Sequence, residues 1–134
     1  MRSVVILHVE DNPSNRKLVR DLLATRGYHL VEAETGEEAL VLAERERPGL
    51  VLMDLELPKL SGLAVTERLR AHPELGGVPI VAVTALAFRG DAEQAKAAGC
   101  DAVLTKPYDP MELLRLVERY IGPPPAESPR SEFR

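Results

Sequence analysis

Five short apolar runs, separated by longer stretches of helical periodicity, restrict this chain more than any other feature. The runs are Val4–Val9, Leu30–Ala33, Leu50–Met53, Ile80–Val83 and Ala102–Leu104. Val4–Val9 and Ile80–Val83 are almost unbroken in apolar residues, as parallel strands covered on both faces are. Glu32 interrupts Leu30–Ala33, which marks that run as an edge strand. Helix patterns fill the intervals at Ser14–Arg26, Gly36–Arg47, Ser61–Ala71, Arg89–Ala98 and Pro110–Ile121. The first is expected to bury Leu18, Leu22 and Leu23 and to turn Arg16, Lys17, Arg20 and Asp21 outward. Thr35 is the expected N-cap of the second, with Glu38 at the capping-box position. Gly27, Pro48, Gly99 and Gly122 stand where helices should stop. Strands alternating with helices predict an α/β fold, a five-stranded parallel sheet flanked by five helices. Right-handed crossovers leave few topologies, and the flavodoxin-like doubly wound order 2-1-3-4-5 keeps the two most apolar strands inside.

The 134 residues suit one domain, and a hydrophobic share of 45% can fill its core. Aromatic residues reach only 4% and Trp is absent, so that core is built from Val, Leu, Ile and Ala. The net charge of −4, with no dense Lys/Arg run, argues against a nucleic-acid binder. A single cysteine, Cys100, forms no internal disulfide and reads as a small packing residue of a protein in the reducing cytoplasm. No apolar run approaches the about 18 residues of a membrane span, and none reads as a signal peptide. Residues 1–122 read as the domain, and 123–134 (PPPAESPRSEFR) as a disordered tail rich in Pro, Ser and charge.

Chemistry gathers at the strand ends. The first run ends in Glu10-Asp11, the third in Asp54, the fourth in Thr84-Ala85 and the fifth in Thr105-Lys106-Pro107. In a parallel sheet these ends share one edge, where ligands bind at the topological switch point. Two carboxylates about 5 Å apart repel by roughly 3 kcal/mol at an effective dielectric near 20. Three would raise one another's pKa unless a cation joined them. Oxygen ligands with open positions suit Mg²⁺, which keeps waters and takes a phosphate oxygen readily. A carboxylate such as Asp54 can attack a phosphoryl donor, while a metal and a lysine neutralise the transferring oxygens.

The stretches VEDNPSNRKL, LVLMDLELPKLSG, VAVTA and LTKP resemble the receiver domains of two-component response regulators, over about residues 3–121. The segment from Val81 to Pro107 is also similar to DivK-type single-domain regulators and to receivers attached to hybrid kinases. The resemblance implies that Asp54 is the phosphorylation site. It implies that Mg²⁺ or Mn²⁺ is held by Glu10, Asp11, Asp54 and the backbone carbonyl of Glu56. It further makes Thr84 the switch hydroxyl, Ala85 a backbone N–H donor to phosphate, Lys106 the phosphate-pairing lysine and Pro107 a cis-proline candidate. The implied partners are a sensor histidine kinase or histidine phosphotransfer protein and a downstream protein target. A phosphorylation-dependent dimer is a further implied contact; DNA and membrane are not. The family often carries Tyr or Phe three residues before the lysine; Val103 stands there instead, too short to act as an inward-turning ring.

Other functions fit the residues less well. A flavin carrier on the same fold needs a Ser/Thr/Gly-rich phosphate loop after the first strand, where this chain has acidic EDNP. A phosphatase needs a second acid beside the nucleophile, and Glu56 is the candidate at hand. An interaction module without phosphorylation has no use for the signature residues. His8, His29 and His72 lack metal-ligand spacing and read as structural or surface residues. The chain is therefore expected to be no enzyme beyond its own phosphorylation and dephosphorylation.

Overall fold

The computed structural model describes residues 4–85 and 91–123. The expected helix start at Arg89, the side chains of Leu86 and Phe88, and residues 124–134 of the expected tail lie outside them. Five strands, β1 (Val5–Val9), β2 (His29–Ala33), β3 (Leu50–Asp54), β4 (Ile80–Thr84) and β5 (Ala102–Thr105), form one parallel sheet in the order β2-β1-β3-β4-β5. Between them run α1 (Pro13–Ala24), α2 (Gly36–Glu46), α3 (Gly62–Ala71) and α4 (Asp91–Ala98), and α5 (Pro110–Ile121) follows.

Period-two alternation divides the strands between two cores. Ile6, Leu50, Leu52, Val81 and Val83 face α1 and α5, where they meet Val19, Leu23, Leu113, Leu114 and Val117. Leu7, Val9, Val51, Met53, Ile80 and Ala82 face the other way, onto Ala39, Ala43, Val65, Leu69 and Ala95 of α2, α3 and α4. The central strands β3 and β4 are buried along their whole length. Edge strand β2 is buried only at Ala33. Cys100 packs in the second core, with its sulfur 3.8 Å from the Thr66 hydroxyl.

Two expectations for α1 need correction. Asn12 caps the helix, its side chain accepting from the Asn15 N–H, and Pro13 takes the first helical position. That start sets the helix phase so that Val19 is buried and Leu18 is 58% exposed. Arg16 also turns inward; its side chain is only 13% exposed. At α2, Thr35 accepts from the Glu38 N–H as expected, but the Glu38 carboxylate accepts from the Glu34 N–H, one residue before the cap. The complete capping box belongs to α5, between Asp109 and Glu112.

One bracket ties the far end of the sheet together. The Arg70 guanidinium donates to the carbonyls of Gly99 (2.8 Å), Gly76 (3.0 Å) and Val78 (2.6 Å) and to the Asp101 carboxylate (2.9 Å). Asp101 in turn accepts from the Ile80 N–H at 2.8 Å, so the entries to β4 and β5 are held in step. At the opposite edge, α3 begins hard against the loop that leaves β3. A Cβ on Gly62 would lie 2.3 Å from the Asp54 carbonyl oxygen, so only glycine lets the helix approach that closely.

Candidate functional site

Register brings the polar strand ends to one edge. Val9 pairs with Met53, Asp54 with Val83 and Thr84 with Thr105. Glu10, Asp54 and Thr84 therefore sit side by side, only 1–3% exposed. One oxygen each from Glu10, Asp11 and Asp54 lies within 4.8 Å of the other two. The Lys106 ammonium reaches in from the end of β5, 3.1 Å from Glu10 Oε1 and 3.6 Å from Asp54 Oδ2. The Lys106–Pro107 peptide bond is cis. No other group of three metal-ligating residues occurs among the described residues.

The surroundings hold each carboxylate in place. Asp54 Oδ1 accepts from the Glu56 N–H at 2.9 Å, and Glu10 Oε2 from the Asn12 N–H at 3.2 Å. Arg16 was not foreseen as part of this site. Its Nη1 donates to the carbonyls of Glu10 (3.0 Å) and Asp11 (3.1 Å), and its Nη2 lies 3.6 Å from Glu34. The guanidinium thus clamps the turn that presents the acidic pair.

Burial pushes the Asp54 carboxyl up to about 7; the neighbouring Glu10 adds to the rise, while the Glu56 N–H and Lys106 oppose it. Burial also pushes Glu10 up, but hydrogen bonds from Asp54 and Lys106 and the lysine's charge outweigh it and hold Glu10 below its usual range. Burial depresses Lys106 less than the charges of Asp54 and Glu10 raise it, so it stays protonated. The crowding favours a proton on Asp54 over one on Glu10. A divalent cation suits the place of that proton: hard oxygens, two of them buried, with one charged amine already offsetting part of their repulsion.

Thr84 and Ala85 reach the same mouth, but the carboxylate of Glu56 occupies them. The Thr84 hydroxyl donates to Glu56 Oε2, and the Ala85 N–H to Oε1 at 3.2 Å. Sequence reading placed the Glu56 backbone in the metal shell and its side chain beside the nucleophile as a candidate second acid, but did not foresee its contact with Thr84 and Ala85. Val103 is half-buried in β5, paired with Ala82 and packed against the core on the α4 side.

Beside the acidic mouth, a cavity of about 300 Å³ opens between α1 and the loop before α5. Leu18, Leu22, Pro107 and Tyr108 line it, with His8 at its wall. His8 is buried, and its Nδ1 has no hydrogen-bond partner among the described residues.

A doubly wound α/β domain with an acidic mouth and a lysine at its carboxyl edge is the architecture of phospho-accepting signalling domains. The response regulator receiver domain family matches residues 6–118, and this chain belongs to that family of two-component signalling. It is 44% identical over 121 residues to the polar-differentiation response regulator DivK of Brucella anthropi, covering 90% of this chain and 97% of the relative. The receiver domain of a sensor histidine kinase from Pseudomonas aeruginosa, which carries a magnesium ion in its active site cleft, is 40% identical. It superposes with a TM-score of 0.83 and covers 90% of this chain and 99% of that one. The chemotaxis protein CheY4 of Vibrio cholerae superposes equally well, at 0.83, with 28% identity over 89% of this chain and 99% of that one.

Proposed function

We propose that Asp54 accepts a phosphoryl group from the phosphohistidine of a sensor histidine kinase or a histidine phosphotransfer protein. An Asp54 oxygen attacks phosphorus, the donor's phosphorus–nitrogen bond breaks and the imidazole leaves. The observation that carries this reading is the buried Glu10–Asp54 pair bridged by Lys106, with Asp11 completing the acidic trio. Glu10, Asp11, Asp54 and the backbone carbonyl of Glu56 are the groups to hold Mg²⁺ or Mn²⁺, which supplies neutralising charge to the transferring oxygens. Lys106 pairs with a phosphoryl oxygen, and the Thr84 hydroxyl and Ala85 N–H serve another. The phosphorylated domain signals in the cytoplasm by contact with a protein target or with a second copy of itself, and turns over no substrate beyond its own phosphoryl group. No described helix is long and apolar enough to cross a membrane.

Incubation with acetyl phosphate and Mg²⁺ should add the mass of one phosphoryl group, and chelation with EDTA should prevent it. An unchanged mass with Mg²⁺ present would remove this reading. Lys106→Ala separates the lysine's role from that of the metal. Charge-assisted hydrogen bonds contribute about 1.5–3 kcal/mol each, so the variant should bind beryllofluoride, a phosphoryl mimic, at least about tenfold more weakly. Its Mg²⁺ titration should stay close to that of the parent, and an equal loss of both affinities would contradict the assignment.

A further inference from the structure

Glu56 touches both halves of the phosphoryl site at once. Its N–H holds the nucleophile, donating to Asp54 Oδ1 at 2.9 Å. Its carboxylate reaches across to the tip of β4 and takes the Thr84 hydroxyl and the Ala85 N–H, one on each oxygen. Those are the two donors that a phosphoryl oxygen on Asp54 would need. A hydroxyl has one proton to give, and a backbone N–H serves two anions poorly. A phosphoryl group also brings nearly two negative charges to within a few ångströms of the Glu56 carboxylate, while the Lys106 ammonium pairs with Glu10 and Asp54. Both anions cannot be served together. Glu56 is exposed at the surface, so its side chain can leave without opening a hole in the core.

We infer that the Glu56 carboxylate is an internal competitor for the phosphoryl group: it occupies the Thr84 and Ala85 donors in the unphosphorylated chain and is expelled when Asp54 is modified. This rests on the receiver reading above and deepens it. Glu56 acts through Thr84 and Ala85, so it is a positioning residue and not a catalytic one. It supplies this chain with a side-chain movement coupled to Thr84 at the site itself, whereas Val103 has no ring to turn. The phosphorylated state must exceed not only the free energy of the empty donors but also that of donors already satisfied, which lowers apparent affinity for any phosphoryl mimic.

The test compares beryllofluoride affinity at saturating Mg²⁺ in the parent, Glu56→Gln and Glu56→Ala, with Mg²⁺ affinity measured separately. Losing two hydrogen bonds to an ionised competitor should tighten beryllofluoride binding at least about tenfold in Glu56→Ala. Glu56→Gln keeps an acceptor oxygen without the charge and should fall between. Mg²⁺ affinity should be alike in all three, since the proposed metal contact is the backbone carbonyl. The Ala85 amide resonance of unliganded Glu56→Ala should already lie off the parent position, since its N–H no longer donates to Glu56. A parent that binds beryllofluoride while Glu56→Ala binds it equally or more weakly overturns this inference alone. A parent that binds none overturns the receiver reading with it.

Discussion

Asp54→Asn is expected to end phosphorylation completely while leaving the fold intact. The amide oxygen carries no charge to attack phosphorus with, and no second carboxylate can take over. Glu10 is tied down by Lys106 and the Asn12 N–H, and Asp11 lies exposed at the surface. The fold should tolerate the change because protonated Asp54 already behaves much as an amide would. Its carboxyl, pushed up to about 7 chiefly by burial, donates to Glu10 in the metal-free protein. An asparagine NH₂ can make the same hydrogen bond, and its carbonyl can keep the Glu56 N–H. Intact mass after acetyl phosphate and Mg²⁺ should therefore show no addition on the variant. Its thermal midpoint in EDTA should be at least that of the parent, because one of two crowded acids is gone. A phosphoryl mass on Asp54→Asn would place the acceptor elsewhere.

The second large effect concerns His8. Burial holds its imidazole well down, at about 4 against an ordinary 6.5; Glu10 and Glu32 push it back up, and Lys106 and Arg16 push it further down. The unfolded chain therefore takes up a proton before the folded one does. The sign follows: His8 costs nothing in charge above pH about 6.5, and stability falls as pH drops from there towards 4. A depression of that size corresponds to about 3 kcal/mol across the window. His8→Leu removes this dependence and also removes a buried Nδ1 that lacks a partner among the described residues, a defect of about 1–3 kcal/mol in itself. The leucine also extends the apolar lining supplied by Leu18 and Leu22. Urea unfolding in EDTA should find the variant no less stable at pH 7, with an advantage that widens by about 3 kcal/mol by pH 4. Glu10 and Asp54 titrate in both proteins, so the pH dependence of the difference reports His8 together with its coupling to Glu10. An advantage that stays constant with pH would mean the imidazole is already charged or well solvated when folded.

The strands and their order were legible because strand burial is a local, periodic property. Runs such as Ile80–Val83 need no knowledge of the rest of the chain to show that both faces are covered, and Glu32 alone marks β2 as an edge. The acidic mouth was legible for a related reason. In a parallel sheet every strand end points the same way, so residues that close a run in sequence must close it in space. Glu10, Asp11, Asp54 and Lys106 meet as that rule requires.

Side-chain direction on helices and loops was not legible in the same way. The α1 stripe reads equally well through Leu18 or Val19, and only the crossing of α1 over the sheet, started by Asn12 and Pro13, sends Val19 inside. Arg16 looked like one more outward charge until the turn at Glu10 and Asp11 brought two carbonyls within its reach. Arg70 joins two loops that the chain keeps up to 31 residues away.

Glu56 shows the division most clearly. The amino-acid order alone determined the strands, their sequence in the sheet and the acids at their tips, because these follow from local periodicity and a shared strand direction. It could not determine that a carboxylate two residues past Asp54 would settle on donors 28 and 29 positions away. Only the tertiary structure decided that, since a flexible side chain takes whichever partners the packed sheet places within its reach.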